Sequence, residues 1–150
     1  MQEPASDRRR PSSLPILARA AARSAKHALR PLMRLGRLYS RWQETSFGRM
    51  HFYDSQPQEK GRDGGNDRTV FLLHGLGSSS VSLLPLAALM RRHCRVIVPD
   101  VMHFSGLSVP TKDRFTCSDH LEVLYEFFER LGLDSVDLFG HSIGGAGVLR

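Results

Sequence analysis

The chain has 150 residues, enough for one ordinary domain, and 41% of them are hydrophobic, enough for a sizeable core. Its net charge of +6 is uneven: residues 1–50 hold eleven Lys/Arg against three Asp/Glu, a balance of +8, while residues 51–150 hold ten against twelve, a balance of −2. That split argues against a basic nucleic-acid-binding fold and no apolar run approaches the ~20 residues of a membrane span, while the lone pair Cys94 and Cys117 builds no disulfide scaffold and fits a reducing, cytoplasmic setting.

Residues 1–13 are polar and proline-flanked, so the expectation there is disorder. From Leu14 to Trp42 the pattern predicts a basic amphipathic helix, placed in a helical extension over 14–45. Arg19, Arg23, Lys26, Arg30, Arg34, Arg37 and Arg41 recur every three or four residues and form one charged stripe. Pro31 should kink it. Such a helix suits an anionic membrane surface. It equally suits a solvated helix packed on the domain that follows. An organellar transit peptide fits less well, because Glu3 and Asp7 come early and two prolines interrupt.

Phe47–Tyr53 reads as a short strand and 54–68 as a polar, Gly-rich linker. A regular alternation follows. Thr69–Leu73 is an apolar strand, Val81–Arg92 a helix with Pro85 in its first turn, and Arg95–Pro99 a second strand. Thr116–Leu131 is a second helix, opened by a Thr116–Asp119 capping box and stopped at Gly132. Val136–Phe139 is a third strand and Ile143 begins a third helix. Alternating strands and helices predict an α/β fold with a mostly parallel sheet and helices on its faces.

The third strand runs into Gly140-His141-Ser142-Ile143-Gly144, a G-x-S-x-G pattern at a strand-to-helix junction. In a nucleophile elbow the serine is held in a strained conformation that lifts its hydroxyl above the strand ends. Glycines two before and two after allow strand and helix to converge. The following helix points its amides at the reacting centre. A chance match in a chain this long is expected about one time in twenty, so the placement carries the weight. His74-Gly75-Leu76-Gly77 directly follows the first apolar strand, where a second main-chain donor is needed, and Gly75 and Gly77 let that loop come close. A third feature is Pro99-Asp100 at the end of a buried strand, followed by a Gly/Ser loop.

Taken together, HGLG (74–77), PDVMHFSGLS (99–108) and GHSIGG (140–145) resemble the α/β-hydrolase family, in its esterase/lipase-like branch, from about residue 46 onward. The sequence departs from the family at Met102-His103-Phe104, where a more polar stretch is usual. The resemblance implies the N-terminal part of an α/β-hydrolase fold. It implies Ser142 as nucleophile toward a carboxylic or thio ester or an acyl lipid, and the backbone amides of Leu76 and Ile143 as the oxyanion hole. His74, Gly75, Gly77, Gly140, His141 and Gly144 shape the elbow and its facing loop. Haloalkane dehalogenases and epoxide hydrolases of this fold carry Asp where Ser142 stands.

In that family the acid and the histidine of the triad follow the nucleophile, and only eight residues follow Ser142. The expectation is therefore that triad acid, histidine and lid lie outside these 150 residues. The chain alone would keep about 10³–10⁴-fold over water. His103 is the least implausible local base. His74, His141 and His120 read as loop or helix residues and Asp100 as a loop-fixing carboxylate. No metal-spaced Cys/His cluster and no phosphate loop is present, so no cofactor is expected. The alternative is a non-catalytic product that binds a membrane surface or protein partner through the basic segment.

Overall fold

A computed structural model describes residues 24, 37–56, 68–102, 107–142 and 144–145. Its first strands form a hairpin: β1 (Tyr39–Thr45) and β2 (Gly48–Asp54) pair antiparallel, from Tyr39 opposite Asp54 to Thr45 opposite Gly48. This corrects the helical reading of 14–45 at its C-terminal end. The segment YSRWQET half-buries every second residue from Arg41 on, the period of a strand, and β2 supplies the hydrogen-bonding edge that a helix would not need. Ser24 is helical and exposed; the rest of 14–36 lies outside the described residues, as do 1–13 and most of the 54–68 linker.

Strands β3 (Thr69–Leu73), β4 (Arg95–Pro99) and β6 (Asp137–Gly140) run parallel, with β3 between the other two. β4 pairs antiparallel with β2, and a two-residue strand, β5 (Val109–Pro110), pairs with the start of β2. The sheet is thus mixed, in the order β1-β2-β4-β3-β6. β3 and β4 read as unbroken apolar runs because both of their faces are covered. On one face Val70, Leu72, Val96, Val98 and Tyr53 pack against Leu84 and Ala87 of α1 (Leu84–Met90). On the other, Phe52, Phe71 and Ile97 pack against Val123 and Phe127 of α2 (Cys117–Arg130). Phe127 meets Phe52 edge-on with centroids 5.1 Å apart, and Phe128 meets Phe71 at 4.6 Å.

The expected Val81–Arg92 helix is two elements. Pro85 lacks the N–H that a helix interior requires, so the α-helix starts at Leu84 with the proline in its first turn. Ser80–Leu83 winds as a 3₁₀ turn before it. α2 carries the expected capping box: Thr116 Oγ1 accepts from the Asp119 amide (3.2 Å) and the Asp119 carboxylate accepts from the Thr116 amide (2.6 Å). The Lys112 ammonium and the Thr116 donors hold the Asp119 carboxyl down at about 2. Among the described residues no helix is long and apolar enough to cross a membrane.

Candidate functional site

β3 and β6 lie side by side, with Leu73 opposite Gly140, so the two segments that leave their ends emerge together. One is 74–77 and the other is the turn at Ser142. The His141 amide donates to Leu73 O (3.0 Å), the Gly144 amide to His141 O (3.1 Å) and the Gly145 amide to Ser142 O (2.9 Å), which folds the chain sharply back on itself. Ser142 takes φ +58°, the left-handed region that costs a side-chain-bearing residue of order 1 kcal/mol or more, and it is exposed.

The flanking glycines are steric requirements. A Cβ on Gly140 would sit 2.4 Å from the Gly144 carbonyl, and one on Gly144 would sit 2.7 Å from Leu73 O. No relaxation of a flexible side chain relieves either clash, because both neighbours are backbone. A Cβ on Gly75 would lie 3.1 Å from Ser142 Cβ and 3.4 Å from His141 Nδ1. The structure therefore brings together Gly75, Gly140, His141, Ser142 and Gly144. Ile143 lies outside the described residues.

The loop 74–77 is anchored from below and open above. His74 is buried. Its Nε2 accepts from the Val101 amide (3.0 Å), which leaves the proton on Nδ1 to donate to Gly75 O (2.9 Å). Burial lowers the His74 pKa below its ordinary 6.5, against opposing contributions from the Gly75 carbonyl and the Asp100 charge, so the ring stays neutral. The Ser78 amide closes the turn on Gly75 O (3.2 Å), and Leu76 at its tip is 68% exposed.

Asp100 ties that loop to its neighbour: Oδ1 accepts from the Ser80 amide (2.7 Å) and Oδ2 from the Leu107 amide (3.0 Å). Burial raises its pKa. Hydrogen bonding from the His51 ring and from the Ser80 amide outweighs that, so the net direction is downward and the carboxylate stays charged. Met102, the start of the departure from the family pattern, is buried in the α2-facing core, which explains an apolar residue there. His120 sits in the first turn of α2 with its ring 5.3 Å from Phe115, and His103 lies outside the described residues. Among the described residues no hydrogen bond joins Ser142 to a histidine ring, and no three His, Cys, Asp or Glu cluster to hold a metal ion.

Sequence reasoning did not single out His51, whose Nδ1 lies 2.8 Å from Asp100 Oδ2. Its only signal was a histidine inside a strand otherwise destined for burial. A cavity of about 500 Å³ lined by Arg68, Met90, Cys94, Asp137 and Phe139, among others, includes no residue of 74–77 or 140–145 and is separate from the elbow.

Residues 68–150 match the alpha/beta hydrolase fold family. The chain belongs to that family. It is 28% identical over 106 residues to haloalkane dehalogenase 2 of Mycobacterium bovis, covering 71% of this chain and 34% of that protein. It is 29% identical over 106 residues to carboxylesterase YbfK of Bacillus subtilis, covering 71% and 33%. Naproxen esterase (carboxylesterase NP) from Bacillus subtilis superposes on 94% of this chain and 45% of its own, with a TM-score of 0.71 at 23% identity, a likeness of fold. The chain spans about a third of the length of the curated relatives it matches.

Proposed function

We propose that this chain carries the nucleophile and oxyanion loop of a serine hydrolase acting on carboxylic or thio esters. Ser142 attacks the acyl carbon, and the amides of Leu76 and Ile143 hold the tetrahedral oxyanion. A histidine oriented by a carboxylate takes the hydroxyl proton and returns it to the leaving group. The observation that carries this reading is the left-handed Ser142, exposed at the end of β6 and in contact range of Gly75. Two aimed main-chain donors each lower such a barrier by roughly 3 kcal/mol.

Serine at this position favours ester chemistry over dehalogenation, for which the resemblance implies aspartate. The reading is tested by treating the longest polypeptide the gene encodes with a fluorophosphonate and mapping the adduct by mass spectrometry. The expected adduct is on Ser142. Absence of any adduct on Ser142, under conditions that label a known serine esterase to completion, would defeat the proposal.

A further inference from the structure

Ser40, His51 and Asp100 take no part in the elbow, yet they stand in series. Ser40 is exposed on β1, His51 is buried on β2 and Asp100 is buried just past β4. Ser40 Oγ lies 2.8 Å from His51 Nε2, and His51 Nδ1 lies 2.8 Å from Asp100 Oδ2.

The proton inventory assigns the roles. Asp100 receives the Ser80 and Leu107 amides, and an ionised carboxylate only accepts. His51 Nδ1 therefore carries hydrogen and donates. In the neutral ring Nε2 is then the acceptor, so the Ser40 hydroxyl donates to it. The imidazole is held in place by Trp42 and Tyr53, each edge-on at 4.9 Å. The main chain is held as well: the Asp100 amide donates to His51 O (2.8 Å). Ser108 Oγ accepts from the His51 amide (2.9 Å) and donates to Asp100 O (2.6 Å).

A surface hydroxyl on a buried imidazole on a buried carboxylate is the arrangement that activates a serine. We propose that Ser40 is a second nucleophilic serine, reactive toward activated acyl compounds. It lies four strand positions from the Ser142 end of the sheet, about 19 Å at ~4.8 Å per strand, so the two sites are separate. Among the described strands β1 has a neighbour on one side only. Ser40 Oγ bonds to the acyl carbon as its proton passes to His51 Nε2. The leaving group departs with its electron pair and takes that proton. Water, deprotonated by the same nitrogen, then cleaves the Oγ–acyl bond and restores the hydroxyl.

The test removes the elbow serine. The 150-residue chain carrying Ser142→Ala is treated with a fluorophosphonate and the adduct is mapped. One adduct is expected, on Ser40, formed at least ~100-fold more slowly when His51→Gln is added. No adduct, or one that persists after Ser40→Ala, overturns the proposal. Because a buried His51 variant can disturb the fold, Ser40→Cys gives an independent reading at an exposed position. Its thiol should react with iodoacetamide at least ~10-fold faster than the exposed Cys117, and an equal or slower rate overturns the proposal.

Discussion

Ser142 holds a conformation that glycine adopts freely and serine does not. Ser142→Gly should therefore raise the unfolding free energy by about 1 kcal/mol in urea titrations while removing the hydroxyl. A variant less stable than the parent would show that the turn is unstrained. The glycines around it were legible in the sequence because their spacing is a consequence of sterics, and the 2.4 Å and 2.7 Å approaches at Gly140 and Gly144 put distances on it. His74 makes a second prediction at this scale. Its folded pKa is below 6.5, so below that pH the unfolded chain binds more protons than the folded protein. Stability contributed by the neutral ring is fully present above pH 6.5 and is lost as pH falls toward the folded value. Urea midpoints measured from pH 7 downward should fall, and His74→Gln should flatten that part of the curve; an unchanged slope would contradict the assignment.

At the scale of elements, the strands read correctly were those whose signal is local. TVFLL and RVIVP are apolar throughout because helices cover both faces, and α2 announces itself by its capping box and apolar stripe. β1 was not legible. Its sequence is largely polar, it continues an arginine rhythm of helical period, and what makes it a strand is the edge of β2 beside it. The same holds for the His51–Asp100 contact, which joins residues 49 apart and has no spacing rule. The hairpin is held at its far end by Asp54, buried, whose Oδ2 lies 3.1 Å from Arg41 Nη1 and 2.8 Å from Arg95 Nη2. Removing one partner of a buried ion pair leaves the others uncompensated. Asp54→Ala should cost about 3 kcal/mol in chemical denaturation, and a loss under ~1 kcal/mol would mean that solvent already screens the two guanidinium groups.

Across the whole molecule, the order β4-β3-β6 explains why segments 66 residues apart in sequence, Leu76 and Ser142, belong to neighbouring strand ends. The parallel half of the sheet delivers both to one edge, while the antiparallel hairpin extends it on the side away from the elbow. The placement of the Ser142 turn beside the 74–77 loop was legible from motif and strand pattern together; what that place would bind was not, since the sequence marks a turn and a loop rather than a pocket wall. The most direct measurement is the kcat for p-nitrophenyl ester hydrolysis by the longest polypeptide the gene encodes, carrying Ser40→Ala so that only the elbow serine is read, with and without Ser142→Ala. The account predicts a fall of at least about 10⁴-fold with the fold intact by circular dichroism. Activity retained within about tenfold would contradict it.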